Sequence, residues 1–408
     1  MRRSIKTAIT VGILLISFFD QSLPGIPLLG YVDEGLALLG LLFFLTGKRA
    51  YRDRGSVQLM LLTCLLILWG LLCNALYRIQ PHPMAIVEDV ISSFKFLFLY
   101  LGLAEFLRRV GLNTRVVLRL VLPPVKLFMG ALFLLACANL LRNIGMSTEI
   151  RYGIRGFSFV YPSAGHVINQ CADFLLLLTA ENELLGRKNT AWKAAALFTM
   201  AATLKTRALV LAAVYLALFY FFVAKKRQRL GLEIGLIGLL TALIGYSNFE
   251  TYFLASERAP RAMFVRGAAK LARQYFPMGT GFGTFGSSAA GHYYSRLYYI
   301  LGFSTRWGMT PDNPLFINDN YFPTIFAEFG LLMGTVFCVL LYLYFRNILR
   351  DEKHSRSPRV RLATWFFAAN VLLSSIQSSF LASYTVVYFS VFYFLFFYPN
   401  RFEREAKR

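Results

Sequence analysis

Between residues 247 and 321 the sequence breaks its succession of apolar runs with a long stretch carrying Arg258, Arg261, Arg266, Lys270, Arg273, Arg296 and Arg306. Guanidinium groups bind anions through paired charge-assisted hydrogen bonds, so one reading of these charges is an anionic ligand on the outer side. A solvated basic surface is the other reading of the same charges. Pro260 suits the first position of a helix, and Arg261 to Tyr275 follow unbroken until Pro277. At about 100° per residue, Phe264, Val265, Ala268, Leu271 and Ala272 share one face and Arg266, Lys270 and Arg273 the opposite one, as in an amphipathic helix lying on membrane or protein. Arg261 falls within the apolar arc. An unpaired guanidinium is costly to desolvate there, so an anionic partner is expected, either a ligand phosphate or an acidic side chain.

Gly279-Thr-Gly281-Phe-Gly283-Thr-Phe-Gly286 follows, with glycines at alternate positions and a further one after them. Glycine permits positive φ and close backbone approach. The spacing is not the G-x-G-x-x-G of a dinucleotide site. A tight turn packed under or beside a substrate headgroup fits better, with Gly281 and Gly283 at the ligand. Tyr293, Tyr294 and Tyr298 offer aromatic faces for sugars, or equally for a membrane interface. Outside this stretch, Arg207 sits between two short apolar segments, a place where an arginine is either functional or snorkels to the interface. His166, in Tyr161-Pro-Ser-Ala-Gly-His166, is a candidate proton acceptor or a packing residue. Glu88, Asp89 and Lys95 share one apolar segment and are expected to find partners on other helices. Lys126, beside Pro123 and Pro124, either lines a cavity or meets a lipid headgroup.

The scaffold that must position these residues is a membrane bundle. Of 408 residues 57% are hydrophobic and 16% charged, with a mean hydropathy of +0.53, which is more apolar surface than a soluble domain can bury. Lipid satisfies no backbone polar group, so each crossing must be a helix of roughly 20 mostly apolar residues. The apolar segments are 7–29 (broken by Pro24 and Pro27), 31–46, 57–76, 84–106, 116–141, 158–180, 191–205, 206–224, 231–246, 322–345, 361–380 and 383–399. The expected class is therefore all-α, a polytopic bundle of about twelve spans, or eleven or thirteen depending on whether 191–224 is one bent helix or two short ones. The basic start of the chain, which lacks a small-x-small cleavage site, reads as part of an uncleaved first span.

Basic clusters at Arg2-Arg3-Lys6, Lys48-Arg49-Arg52-Arg54, Arg108-Arg109-Arg115, Arg187-Lys188, Lys225-Lys226-Arg227-Arg229, 346–361 and 401–408 fall in every second loop. By the positive-inside rule both termini are cytoplasmic and 247–321 is outside. The net charge of +22 is thus mostly topology, and a nucleic-acid partner is not expected. The chain divides into helices over 1–246, the outer loop 247–321, and helices with a basic tail over 322–408. All five cysteines lie in apolar runs, which implies neither a disulfide framework nor a metal site.

Three motifs in order, Lys205-Thr-Arg207-Ala-Leu, Pro277-Met-Gly-Thr-Gly-Phe-Gly-Thr-Phe285 and Asn318-Asp-Asn-Tyr-Phe-Pro-Thr-Ile-Phe-Ala-Glu328-Phe-Gly330, carry a family resemblance. The chain resembles the O-antigen polymerase and O-antigen ligase superfamily of bacterial membrane glycosyltransferases over residues 200–340, and the number and order of spans agree. In the ligases the last motif begins with a histidine regarded as catalytic or acceptor-activating. Here that position is Asp319, a departure toward the polymerase branch. Gly30-Tyr31-Val-Asp33-Glu34 also looks like the polymerases.

The resemblance implies a multi-pass enzyme of the bacterial inner membrane with its active site facing the periplasm, acting in surface polysaccharide and lipopolysaccharide biosynthesis. It would join undecaprenyl-diphosphate-linked oligosaccharides, as donor and acceptor, by inverting glycosyl transfer with no cofactor and no metal. A polymerase would have a chain-length-regulating membrane protein as a further partner. On this reading Arg207 and Arg261 hold the donor diphosphate, with Arg258 and Arg266 adding to it. Asp319 orients or deprotonates the acceptor hydroxyl, although a carboxylate near two arginines is a weak base, and His166 is its rival. Gly281, Gly283, Tyr293, Tyr294, Tyr298, Asn320 and Tyr321 are the expected substrate contacts. A ligase passing the glycan to lipid A core is one alternative. A flippase or exporter of the same lipid is the other, although transporters spread polar residues over many spans or repeats.

Overall fold

The computed structural model describes residues 2–20, 30–47, 53–151, 153–225, 235, 259–318, 320–353 and 357–397. The break at Pro24 and Pro27, the segment expected at 231–246 (apart from residue 235), Arg258, Asp319 and the tail 401–408 lie outside them.

The described chain is an all-α bundle with very little sheet. The first half holds α1 (Arg2–Phe19), α2 (Val32–Leu45), α3 (Arg54–Tyr77), α4 (Pro83–Val110) and α5 (Thr114–Leu141), then α6 (Gly165–Leu185), α7 (Thr190–Ala202) and α8 (Thr206–Leu218). The second half holds α9 (Pro260–Gln274), the one-turn helices α10 (Ser288–His292) and α11 (Arg296–Ile300), then α12 (Tyr321–Lys353), α13 (Pro358–Gln377) and α14 (Tyr384–Phe397). The stretches Arg54–Tyr77, Pro83–Leu107, Thr114–Leu141, Thr206–Ala224 and Tyr321–Arg350 are each long and apolar enough to cross a membrane. Leu120, Leu127, Leu134 and Leu141 form an exposed row along α5, whose other face buries Val117, Val121, Val125 and Met129. An exposed leucine row on a packed bundle is a surface for lipid. At the centre, α14 is buried on every side from Thr385 to Phe397, which is why its sequence shows no polar face.

The structure corrects one expected segment and settles an alternative in another. The apolar run 158–180 becomes helical only at Gly165, because an antiparallel hairpin of β1 (Ser147–Arg151) and β2 (Ile154–Phe157), turned at Gly153, precedes it. The run 191–224 is two helices. Leu204 adopts φ 55°, which no α-helix passes through, so the chain breaks between α7 and α8.

Glycine sets the closest helix contact. A Cβ on Gly102 of α4 would collide with the backbone of Gly40 of α2, so the two helices meet main chain to main chain. Gly102→Val is expected to force them apart at a cost of about 1–3 kcal/mol, seen as a lower melting temperature in detergent and absent in Gly12→Val, where nothing lies nearby.

One long helix is broken within the bundle. Gly330 of α12 adopts φ 75° and ψ 176°, so the carbonyls just before it lose their helical donors. The chain supplies others: Thr280 N–H donates to the Ala327 carbonyl (2.9 Å), Gly281 N–H to that of Glu328 (3.0 Å), and Trp69 Nε1 to that of Phe329 (3.2 Å). A helix broken at membrane depth is stable only with such replacements.

Candidate functional site

The glycine-rich turn after α9 is a buried plug. Every N–H from Thr280 to Gly286 has a protein acceptor. Beyond the two carbonyls of α12, Phe282 donates to Asn74 Oδ1 (2.8 Å), Gly283 to Asp89 Oδ2 (2.6 Å), Thr284 and Phe285 to Glu328 Oε1 (3.0 and 3.1 Å), and Gly286 to Tyr298 Oη (2.8 Å). Asn74 Nδ2 and Gln80 Nε2 return donors to the carbonyls of Phe282 and Gly283. The Asp89 and Glu328 carboxyl groups lie next to each other beneath the turn. Gly281, at φ 87°, has no room for a Cβ, which would lie 2.7 Å from the Asn74 amide.

The turn joins two cores. Phe282 enters the bundle, where the missing side chain of Gly70 makes room for its ring against Phe329. Phe285 enters the loop's own core with Phe264, Tyr298 and Phe303. The structure therefore places Gly281 and Gly283 against Asn74 and Ala85 of α3 and α4, with no N–H left for a ligand.

The tyrosines divide by burial. Tyr298 and Tyr321 are fully buried, Tyr321 Oη donating to the Ser93 carbonyl (3.5 Å), and Asn320 is buried beside them. These three serve the loop-to-bundle contact and offer no open ring or amide. Tyr293 and Tyr294 are half-buried: Tyr293 donates to Glu88 (3.0 Å) and stacks on His292, and Tyr294 donates to the Met309 carbonyl (2.7 Å). Burial pushes the Tyr294 phenol up to about 12, so it stays a donor at neutral pH.

The cations also separate. On α9 the residues Ala262, Phe264, Gly267, Ala268 and Leu271 face inward, while Val265 is 43% exposed, contrary to the apolar face drawn from the sequence. Arg266, Lys270 and Arg273 line an open depression on the far side of that helix from the bundle. Arg261, at its first turn, donates to the Gln377 carbonyl at the end of α13 (3.1 Å). Two residues beyond Gln377, Ser379 donates through Oγ and N–H to the Asn318 carbonyl (2.6 and 3.2 Å), fixing the residue before Asp319 to the same α13–α14 turn.

Arg207 lies against α6. The break at Leu204 starts α8 afresh, puts Arg207 in its first turn, and lets the guanidinium Nη2 donate to the Gly165 carbonyl (3.2 Å) and Asn169 Oδ1 (2.9 Å) of α6. Among the described residues no carboxylate pairs with it. His166 stands beside it and contacts Tyr384 Oη at the start of α14 (3.3 Å). One turn further along α14, Tyr388 donates to Asp20 Oδ2 (3.4 Å). Asp33 and Glu34 of α2 both pair with the buried Lys95 of α4. Arg261 and the approach to Asp319 thus meet at the end of α13, and Arg207 is linked to the start of α14 through His166 and Tyr384, with a tyrosine-lined acidic cluster further along α14. An anion arriving at Arg207 would meet a guanidinium that neutral oxygens hold in place without discharging it.

The sequence alone does not mark Asn169, Tyr384 or Tyr388 as site residues. Tyr384 is hidden in a uniformly apolar run, whereas Asp20, an acid inside the first apolar segment, carried a usable signal. Lys126 is paired with Glu181 (2.6 Å) and is not a headgroup site by itself.

The hairpin clamps the Arg207 break, with Lys205 bound to Glu149 of β1. Burial pushes the Glu149 carboxyl up, but the Lys205 ammonium and then the Arg151 guanidinium outweigh it, so the group is held below its ordinary 4.5. A carboxylate depressed on folding stabilises above its unfolded pKa and ceases to do so as pH falls through the lower folded value. Hydrogen exchange of 147–157, corrected for intrinsic rates, is therefore expected to be faster at about pH 3 than at about pH 6, and unchanged in Glu149→Gln.

Among the described residues no group of three His, Cys, Asp or Glu side chains is placed to hold a metal ion. No protein-family model, curated protein or solved structure matches the chain.

Proposed function

We propose that this protein polymerises lipid-linked oligosaccharides: it moves a growing glycan from undecaprenyl diphosphate onto a new lipid-linked repeat unit at the periplasmic face of the bacterial inner membrane. The observation that carries the reading is Arg207, a guanidinium inside a lipid-facing bundle with two neutral oxygen partners and no carboxylate among the described residues. A group so placed is completed by an anion. Arg261, bound to the Gln377 carbonyl at the end of α13, is the second cation assigned to the diphosphate.

The chemistry is a single displacement. The acceptor hydroxyl attacks the anomeric carbon, the bond to the diphosphate oxygen breaks, and the electron pair goes to the diphosphate. Arg207 and Arg261 stabilise its growing charge, and the hydroxyl proton passes to Asp319. A reading as a bundle of about twelve spans with both termini cytoplasmic puts this site outside, where nucleotide sugars are absent and lipid diphosphate is the available leaving group. The role assigned to Arg266 weakens, since it lies in the depression on the other side of α9.

The test is alanine at Arg207, Arg261 and Asp319 singly in the native host, with membrane abundance checked and surface glycan resolved by gel. Loss of long chains with one repeat retained is the expected result. Loss of all attached repeats with lipid-linked polymer accumulating would make the protein a ligase, and full activity in all three variants would remove the site.

A further inference from the structure

At the end of the bundle opposite Arg207 and Arg261, where α6 and α8 finish and α7 and α13 begin, a cavity of about 290 Å³ opens. Lys188, Lys193 and Arg359 bring cations to it. Arg359 faces Glu183 at 3.5 Å, whereas among the described residues neither lysine has a carboxylate partner. Lys193 Nζ instead lies 5.5 Å from the ring of Phe219.

Phe219 opens a π-helical turn, Phe219–Ala224, that continues α8. Such turns widen a helix and recur at functional positions. Here the turn brings Phe219 and Val223 to the cavity wall. Asn182 is a further lining residue, and its buried Oδ1 has no hydrogen-bond donor, an uncommon state for a buried amide oxygen. Leu216, also in the wall, is 53% exposed, so the cavity opens sideways toward the lipid-facing surface.

We infer that this cavity binds an anionic phospholipid whose headgroup carries a hydroxyl. The phosphate lies between Lys188 and Lys193, a headgroup hydroxyl donates to Asn182 Oδ1, and the first methylenes of an acyl chain follow Phe219, Val223 and Leu216. Basic pockets between helices bind such headgroups through the same combination of charge and apolar wall. The volume sits at the lower edge of ligand pockets, roughly 300–1,000 Å³, which suits a headgroup and is too small for a lipid-linked oligosaccharide. The inference does not depend on the proposed activity, because it uses none of the residues at the other end.

The full-length protein, delipidated in neutral detergent, is titrated with phosphatidylglycerol and followed by native mass spectrometry. Each lysine near a headgroup phosphate is worth about fivefold in affinity, so the Lys188→Gln/Lys193→Gln variant is expected to bind about 25-fold more weakly with its melting temperature in detergent unchanged. Asn182→Ala should erase the preference for phosphatidylglycerol over phosphatidic acid. Should the double variant melt early, Lys188→Gln alone, at an exposed position, carries the fivefold expectation. Equal binding by wild type and variant, equal binding of phosphatidylcholine, or displacement by inorganic phosphate or equimolar undecaprenyl phosphate would overturn the assignment.

Discussion

Arg207→Gln is expected to leave the protein folded in the membrane and to slow glycan elongation by about 10²–10³-fold, the usual effect of removing one donor to a developing oxyanion. Glutamine can still donate to the Gly165 carbonyl or to Asn169, so the contact between α8 and α6 survives. What goes is the charge. Lysine would restore the charge without the planar fork of donors that a guanidinium offers, and is expected to recover only part of the rate. Arg266→Gln provides the control: it removes an equal charge from the open side of α9 and should leave elongation within twofold or so of wild type, as exposed charges distant from a reacting group do. Initial rates at saturating donor, with protein quantified in the membrane, decide the matter. Equal losses for Arg207→Gln and Arg266→Gln would reduce both to general surface charge.

Glu328→Ala is expected to be the most damaging single change to the fold of the loop. Glu328 Oε1 is the acceptor for both Thr284 and Phe285 N–H, and its side chain meets Asp89. Each N–H orphaned in a dry interior costs about 1–3 kcal/mol, so the variant should lose roughly 2–6 kcal/mol from a total that for most domains is only about 5–15 kcal/mol. The turn also carries Phe282 into one core and Phe285 into the other, so its release uncouples α9 and Arg261 from the bundle. Glu328→Gln keeps the acceptor for both N–H groups and gives Asp89 a donor, and is expected to retain most of the stability. Melting of the purified proteins in detergent separates the two variants. Identical curves for alanine and wild type would mean the turn is held by its apolar anchors alone.

These two sites differ in how far the sequence reveals them. Arg207 is legible because its signal is local: a charge between two apolar segments has few explanations, and the break that places it is written in the shortness of those segments. The glycine turn is legible as a turn and illegible as a plug. Its acceptors, Asn74, Asp89 and Glu328, come from three different helices, with Asn74 208 residues away from Phe282 in sequence. No local pattern records such pairing, and glycines that admit close approach of protein look, in sequence, the same as glycines that admit a ligand. The burial of Tyr298 and Tyr321 is illegible for the same reason: a tyrosine's type does not say which side of it is filled. The segments 57–76, 84–106, 116–141 and 322–345, and the described part of 7–29, lie near their helices because length and hydropathy are local properties. The 147–157 hairpin did not, since two short strands with one turn carry too little periodicity. Asp89, Glu88 and Lys95 illustrate the intermediate case. Their need for partners on other elements was apparent, but only packing identifies those partners as Gly283, Tyr293 and Asp33 with Glu34.

The most direct measurement uses the purified protein in liposomes with one defined undecaprenyl-diphosphate-linked repeat unit and excess chelator, following glycan length and released undecaprenyl diphosphate together. The account predicts lipid-linked chains of two and more repeats, one undecaprenyl diphosphate released per bond formed, and neither product with Arg207→Gln. Movement of the intact lipid-linked unit across the bilayer with no lengthening and no release would contradict it.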